Sequence, residues 1–387
     1  MSKKSPERKA AKARPVKQQS MLDYNLLAVV ILLICFGLIM LYSASTYDMS
    51  FFKKQILSFI LAIVTALVAS YFDYHWLVRM SPFIYWVAMG LMGLVAVIGT
   101  SSHGATRWIK IGPLSFQPAE VAKIAVILIL AYQIVNFGKY ITVKRNFFWM
   151  FFTVVIQFCG AFFLTDNLST ALIILFIGGG IIFIYYPKTL PLVLHVVVAA
   201  VILVLFLIYL KYNVNPETVT DFRLLRILSW FDRESNISEG SYQVMQGLYA
   251  IGSGGLFGKG LGNSTQKISR IPEASNDMIF SIICEELGLF GAILLLVLFI
   301  YLLYRLFFIA QNAPDLHGSI IATGVLFHVS LQIILNMAVV LNLMPTTGVS
   351  LPFVSSGGTA ILFLMGEIGI CLNISRQIRL KDSKKRD

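Results

Sequence analysis

Charged residues are scarce in this chain. Asp, Glu, Lys and Arg together make up 13% of its 387 residues, whereas a soluble globular protein carries about 25%. Hydrophobic residues make up 57%, and the mean hydropathy is +0.79. This composition excludes a disordered chain, a coiled coil and an ordinary water-soluble enzyme.

Cysteine and histidine are also few, and neither is arranged as a metal or redox motif. The cysteines lie in separate apolar runs without a Cys-x-x-Cys pair, which indicates small hydrophobic residues rather than a disulfide framework; they are Cys35, Cys159, Cys284 and Cys371. The histidines share no ligand spacing and are interpreted as structural or interfacial; they are His75, His103, His195, His317 and His328.

Ten long apolar runs are present instead. A transmembrane helix needs about 17–25 mostly apolar residues, and the runs are too long for the strands of a membrane barrel. The sequence therefore predicts an all-α polytopic membrane protein, a bundle of about ten transmembrane helices. The expected spans are 24–45, 55–72, 82–99, 119–136, 147–164, 168–186, 189–210, 277–304, 317–343 and 352–374.

The basic residues indicate the orientation of these spans. More than half of the 31 Lys and Arg residues lie at the two ends and in every second loop, as the positive-inside rule requires of the cytoplasmic side. We therefore expect a multi-pass membrane protein with both termini cytoplasmic and no nucleic-acid partner. The expected organisation is a disordered basic tail at 1–20, one membrane domain at 21–376 with a large extracytoplasmic loop at 211–276, and a basic tail at 377–387.

The loop 211–276 is long enough to suggest a functional role. Apolar and polar residues interleave over 224–228, which predicts an interfacial helix. The glycine-rich segment 252–262 follows. It either lets the backbone approach a ligand closely or form an anion-binding concavity, or it is a flexible turn between helices. Its spacing before Lys259 is not that of a P-loop.

Polar residues then lead into the eighth span. Ser275 or Asn276 can cap its helix, and Asp277 would lie in the first turn, where it either complements the helix dipole or carries chemistry. Glu285 and Glu286 follow within the span. Glu285 is about 12 Å further along the helix axis, too far to form a close carboxylate pair with Asp277 in one straight helix.

Two further polar clusters face the same side. Glu120 and Lys123 are three residues apart, so they share a helix face and either form an ion pair or, with Arg107, place cations for a phosphate or pyrophosphate. The segment 345–358 interrupts apolar sequence with prolines and small residues. It predicts either a broken helix that lines a cavity or close helix packing.

Several motifs in these clusters resemble one protein family, SEDS (shape, elongation, division and sporulation). The resemblance covers residues 24–376, and the stretch Gly260-Leu-Gly-Asn-Ser264 is more similar to its FtsW members than to its RodA members. It departs from the family pattern at Ser275-Asn-Asp-Met278 and at Thr165-Asp-Asn-Leu-Ser-Thr170, where Asp166 is the substitute acid. The motifs are Arg107-Trp-Ile, Gln117-Pro-Ala-Glu-Val-Ala-Lys, Tyr249-Ala-Ile-Gly-Ser-Gly-Gly, Pro272-Glu-Ala, Asn276-Asp-Met-Ile-Phe-Ser-Ile-Ile-Cys-Glu-Glu-Leu-Gly and Leu351-Pro-Phe-Val-Ser-Ser-Gly-Gly.

The resemblance implies a peptidoglycan glycosyltransferase. Such a protein lies in the bacterial cytoplasmic membrane and polymerises lipid II, a disaccharide-pentapeptide on undecaprenyl diphosphate, at the outer face of that membrane. The implied setting is cell division, and the implied partners are a class B penicillin-binding protein and other membrane proteins of the divisome or elongasome.

The resemblance also assigns residues. Asp277 matches the family's essential aspartate and is expected to act as the base for the acceptor hydroxyl or as a ligand of a divalent cation, Mg²⁺ or Mn²⁺. No other cofactor is expected. The expected substrate-binding residues are Arg107, Gln117, Glu120, Lys123, Lys259, Glu273, Ser355, Ser356 and Gly357.

Two other function classes fit ten spans with intramembrane charges: a lipid II flippase and a scaffold that only recruits a synthase. The charged clusters gather on one side of the membrane, and the other half offers mainly Glu367. This asymmetry favours the polymerase.

Overall fold

A computed structural model describes residues 22–45, 49–102, 105–111, 114–214, 219, 221–231, 239–267 and 274–378. This part of the chain contains twelve α-helices and one small sheet. The tail 1–20, the candidate residue Glu273 and the end of the chain after Ile378 lie outside the described residues.

The α-helices are α1 Tyr24–Ala44, α2 Met49–Tyr71, α3 Tyr74–Ile98, α4 Pro118–Phe137, α5 Lys144–Cys159, α6 Leu168–Tyr185, α7 Thr189–Asn213, α8 Phe222–Phe231, α9 Glu239–Gly254, α10 Ile279–Asn312, α11 Leu316–Val340 and α12 Ala360–Gln377. The strands are β1 Thr100–Ser102, β2 Ala105–Ile111 and β3 Leu114–Phe116.

The helical bundle predicted from the apolar runs is confirmed. Ten of the described helices, α1 to α7 and α10 to α12, are long and apolar enough to cross a membrane.

Because successive crossings reverse direction, α1 begins and α12 ends on one face, and α10 begins on the opposite face. We call these the Asp23 face and the Asp277 face. On the former, Asp23 ties the chain ends together, since its carboxylate binds Arg305 at 2.6 Å and its N–H donates to Ser375.

The core lies around α4, which packs against α3, α5, α6 and α11 and is buried along most of its length. These neighbours surround it on all sides, so α4 carries no polar stripe apart from its first turns. By contrast, α7 contacts the bundle sparsely, and Leu210 is its one buried residue.

Three helix boundaries differ from the predicted ones by eight residues, and smaller differences occur elsewhere, since α2 begins at Met49 rather than 55. α3 begins at Tyr74 rather than 82, because the Asp73 carboxylate caps it by accepting the His75 N–H at 3.1 Å. α12 begins at Ala360 rather than 352, because Phe353 and Gly358 have φ of 64° and 49°, which an α-helix does not accommodate. α10 runs from Ile279 to Asn312, beyond the predicted end at 304.

The helix α9 and a small β-sheet were not predicted. The loop 211–276 contains two helices, of which α8 covers the predicted interfacial helix and α9 packs against α10. Between α3 and α4, the strands form an antiparallel sheet in the order β1-β2-β3, with Ile109 opposite Phe116. The sheet contacts the Asp277-face ends of α3 and α4 through β2.

A kink divides α10. At 1.5 Å per residue this helix would be about 51 Å long, whereas the hydrocarbon core of a bilayer is about 30 Å thick. Gly288, with φ of 66°, interrupts it. The part from Leu289 to Asn312 alone is about 36 Å long, which suffices for the crossing, so Ile279–Leu287 forms a separate short helix at the Asp277 face.

The glycine-rich segment packs against this kink. The N–H groups of Lys259 and Gly260 donate to the carbonyls of Glu285 and Glu286, each at 2.9 Å. A Cβ atom on Gly258 would collide with the Glu286 carbonyl. The glycines therefore allow the close backbone approach expected from the sequence, and the partner is the backbone of α10.

We expect Gly288→Ala to destabilise the protein. The substituted residue would need a left-handed conformation, and its Cβ would collide with the Gly258 backbone. The free energy of unfolding should fall by about 2 kcal/mol or more, measured by thermal unfolding in detergent. Gly179→Ala in α6, where a Cβ meets open space, is the control, and an equal effect of both substitutions would contradict the packing described.

Candidate active site

A cavity of about 500 Å³ opens on the Asp277 face. Its wall combines α2, β2, the first turns of α4 and α6, and the segment between α11 and α12. Most of the residues that line it are polar or charged; they include Lys54, Gln55, Arg107, Ser115, Gln117, Glu120, Lys123, Asn167, Ser169, Thr170, Asn276, Gln332, Ser350, Ser356 and Thr359.

The described lining carries more positive than negative charge. Lys54, Arg107 and Lys123 face one carboxylate, Glu120. Arg107 projects from β2, and its guanidinium donates to the Asp166 carbonyl at 3.0 Å. Asp166, at which the chain departs from the family pattern, has a φ of 47° in the left-handed region. The excess positive charge suits an anionic ligand.

Glu120 and Lys123 form the predicted ion pair. Their carboxylate oxygen and Nζ are 2.8 Å apart, and the residues are 6% and 1% exposed. They lie in the first two turns of α4, after Gln117, which is the N-cap. Because both also line the cavity, the pair and a ligand-binding role are compatible.

Asp277 lies just before α10 rather than in its first turn. The helix begins at Ile279 with Met278 as N-cap, so neither Ser275 nor Asn276 caps it. The chain is instead held from outside. The buried Asn336 side chain donates to the Asp277 carbonyl at 2.7 Å and to the Val349 carbonyl at 2.8 Å.

The Asp277 carboxylate is bound from α9. Gln243 Nε2 donates to its Oδ1 at 2.9 Å, and Arg226 of α8 lies close enough to interact electrostatically. Burial lowers the pKa of Arg226, and the negative charge of Asp277 opposes that shift. These contacts define the orientation of a half-buried carboxylate beside a cation.

Ser356 links this turn to the cavity. Its N–H donates to the Ser275 carbonyl at 2.9 Å, and its hydroxyl bonds the Asn276 side chain. Asn276, Ser356 and Gly357 line the cavity, so Asp277 lies one residue from its wall. Ser355 has a different contact: its hydroxyl accepts the Leu351 N–H at 2.8 Å and so stabilises the turn before α12.

Lys259 is not among the residues that line the cavity. Its Nζ binds Glu285 at 2.6 Å and Thr265 at 3.3 Å. The neighbouring Glu286 binds Lys267 at 2.9 Å. Glu285 and Glu286 are fully buried. The structure therefore brings together Arg107, Gln117, Glu120, Lys123, Ser356 and Gly357 but leaves Lys259 in a separate ion-pair network.

Sequence reasoning did not identify Lys54, Gln243, Asn336 and Lys267 as site residues. Asn336 carried a usable signal, a polar side chain inside an apolar span. The others depend on contacts between distant segments. A divalent-cation role for Asp277 stays a prediction, because within the described ranges Asp277 belongs to no cluster of three or more His, Cys, Asp or Glu ligands.

We expect the Glu120–Lys123 pair to be strongly coupled. Lys123→Met leaves a buried carboxylate unpaired, which costs about 3–5 kcal/mol of folding stability. The double variant Glu120→Gln/Lys123→Met should recover most of this loss. A double-mutant cycle of unfolding free energies in detergent measures the coupling, and additive single effects would show that the pair does not stabilise the fold.

Comparisons with known proteins identify relatives along nearly the whole chain. The family model described as "Cell cycle protein" (FtsW, RodA, SpoVE) matches residues 23–380. Stage V sporulation protein E of Bacillus subtilis is 34% identical over 92% of this chain and 98% of its own length. The probable peptidoglycan glycosyltransferase FtsW of Trichlorobacter lovleyi is 33% identical, with coverages of 94% and 96%.

Solved structures share the fold. A chain from a structure described as structural coordination of polymerization and crosslinking by a peptidoglycan synthase complex has a TM-score of 0.77 at 24% identity, with coverages of 92% and 98%. The rod shape determining protein RodA of Thermus thermophilus has a TM-score of 0.65 at 25% identity, with coverages of 93% and 98%. The chain therefore belongs to the FtsW/RodA/SpoVE family, the SEDS family that its motifs indicate.

Proposed function

We propose that this chain is a peptidoglycan glycosyltransferase that polymerises lipid II at the outer face of the cytoplasmic membrane, in cell division. The observation that carries the proposal is the cationic cavity whose wall ends one residue from Asp277. The names of its relatives support the reaction class.

The cavity matches the charged part of such a substrate. Lys54, Arg107 and Lys123 stabilise the diphosphate, including the negative charge that develops as it leaves. The apolar side chains of Leu57 and Leu61 also line the cavity and are exposed on α2. This opening suits a lipid tail that remains in the bilayer while its diphosphate enters.

Asp277 supplies the base. Conversion of an α-linked diphosphate donor into a β-linked glycan inverts the anomeric carbon, so one displacement suffices. The acceptor 4-hydroxyl forms the new bond to that carbon, its proton passes to the Asp277 carboxylate, and the bond to the diphosphate breaks. Gln243 fixes one carboxylate oxygen and thereby orients the base.

A divalent cation is the second proposal for Asp277. Mg²⁺ binds proteins through one or two carboxylates together with substrate phosphates, and a single partly exposed carboxylate beside an anion-binding cavity fits that donor set. Asp277 would hold the ion, which would neutralise diphosphate charge.

The flippase alternative receives less support. Export would need polar lining in the half toward the Asp23 face, where Glu367 was the main candidate. Glu367 instead binds His328 Nδ1 at 2.7 Å, and both residues are 1% exposed. Neither lines the described cavity.

A class B penicillin-binding protein is the proposed partner. Cross-linking of stem peptides must follow polymerisation for a wall to form, and one structure with the same fold belongs to a complex described as coordinating both steps. Other membrane proteins of the division machinery remain further proposed partners.

Asp277→Asn tests the catalytic assignment. Asparagine retains an acceptor for Gln243 but loses basicity and most affinity for a cation. Glycan synthesis from labelled lipid II, by the purified variant with its partner, should fall by on the order of 10²-fold or more. Expression and partner binding should stay near normal.

Asp221→Asn is the matched control for this measurement. Asp221 is exposed, precedes α8 and does not line the cavity, so this variant should retain activity. Near-native synthesis by Asp277→Asn would refute the base, and transfer of labelled lipid II across the bilayer without polymer would support the flippase.

The proposed orientation of the protein in the membrane can be tested separately. Tyr212, at the end of α7, and Tyr140, after α4, lie on opposite faces and are 75% and 59% exposed. We expect an impermeant thiol reagent to label Tyr212→Cys on intact cells and Tyr140→Cys only after lysis. The unsubstituted chain measures labelling of the native cysteines, and the reverse pattern would place the Asp277 face in the cytoplasm.

A further inference from the structure

We propose that His75, Asp315 and His317 form a binding site for a divalent transition metal ion on the Asp23 face, opposite the cavity. One ligand atom from each of the three side chains lies within 4.8 Å of the other two. The site is distinct from the polymerisation chemistry and does not rest on it.

Two helix starts build the site. His75 lies in the first turn of α3, and His317 lies in the first turn of α11, so they are far apart in sequence. Asp315 is the N-cap of α11, and its Oδ1 accepts the Gly318 N–H at 2.8 Å. This contact leaves Asp315 Oδ2 directed toward the histidines.

The distances between ligand atoms suit one ion. Asp315 Oδ2 lies 2.6 Å from His75 Nε2 and 3.8 Å from His317 Nδ1. Bonds of about 2.0–2.1 Å in a tetrahedral zinc site place neighbouring ligand atoms about 3.3 Å apart, and the two observed distances bracket that value. Two imidazoles and one carboxylate are a donor set used by Zn²⁺ and by Fe²⁺.

The surrounding hydrogen bonds are those that orient metal ligands. His75 Nδ1 lies 2.7 Å from Asp73 Oδ1, so the other ring nitrogen, Nε2, is presented to the site. Tyr74 donates its hydroxyl to Asp315 Oδ1 at 2.9 Å. A carboxylate on the distal nitrogen of a ligating histidine fixes its ring orientation and raises its basicity.

A clamp of hydrogen bonds between Asp73, His75 and Asp315 is the competing explanation. It accounts for the short contacts of His75 and includes no hydrogen bond to His317, whose Nδ1 lies 3.8 Å from the same carboxylate oxygen. The side chains of His75, Asp315 and His317 are 39%, 33% and 25% exposed. This exposure gives an ion access and leaves room for water as a fourth ligand.

Zinc titration of the full-length protein tests the proposal. The protein is purified in detergent without a histidine tag, and Zn²⁺ is distributed against a chromophoric chelator. We expect one tight site per chain in the unsubstituted protein. Co²⁺ in place of Zn²⁺ should give the visible absorption of a low-coordinate nitrogen and oxygen site.

Three variants define the ligands. His317→Gln should abolish the site, and Asp73→Asn should weaken zinc binding by about 10–100-fold. His195→Gln, in α7 and outside the cluster, should leave binding unchanged. Because His317 takes no part in the clamp, His317→Gln should not change the melting temperature of the metal-free protein.

Two results would overturn the metal site. One is the absence of a stoichiometric zinc site in the unsubstituted protein. The other is equal zinc affinity in the His317→Gln and His195→Gln variants. A lower melting temperature of His75→Gln together with either result would assign the cluster to the hydrogen-bond clamp alone.

Discussion

Glu285 and Glu286 are adjacent carboxylates with no exposed surface, and the arrangement of the Asp277 face depends on how they are satisfied. A buried ion without a partner costs several kcal/mol. Lys259 binds the first and Lys267 the second, and both lysines belong to the segment between α9 and α10. Pairing the carboxylates therefore brings that segment back onto the start of α10. Gly258 and Gly288 lack a Cβ atom, so the backbone of this segment and the backbone of α10 can approach closely.

The same constraint positions Asp277, the carboxylate that we propose as the base. α9 ends where the glycine-rich segment begins, so docking of that segment holds α9 directly against the first turns of α10. Gln243 on α9 then lies beside Asp277, while Asn336 and Ser356 hold the turn around Asp277 from the opposite side. Asp277 is thus fixed by three segments that are distant in sequence. A carboxylate held in this way has little freedom left to lose on substrate binding, which is what preorganisation of the proposed base requires.

The sequence predicted those features that local spacing or apolar length determines. Ten crossings follow from run length, and the Glu120–Lys123 pair follows from helical periodicity. Long-range pairing is not encoded in this way. The glycine-rich composition around Lys259 suits an anion-binding loop. Only the fold shows that the Lys259 ammonium group pairs with the Glu285 carboxylate. The helix start at Tyr74 lies eight residues before Pro82, whose helix-breaking tendency is opposed by the Asp73 cap together with the burial of α3 side chains in the core. His75 and His317 share no sequence spacing, since their proximity arises from two separate turns.

The cost of charge in a bilayer explains where the chemistry lies. An ionised side chain at mid-membrane costs about 2.5–3.5 kcal/mol on insertion scales. Asp277 avoids this cost because it precedes its helix and stays half-buried, and Lys123 tolerates burial because Glu120 is one turn away. The cavity lining combines the cations Lys54, Arg107 and Lys123 with the apolar side chains of Leu57 and Leu61 on α2. A substrate that joins a diphosphate to a long hydrocarbon matches both surfaces at once, so the glycosyltransferase can take its donor directly from the membrane without moving the charge through hydrocarbon.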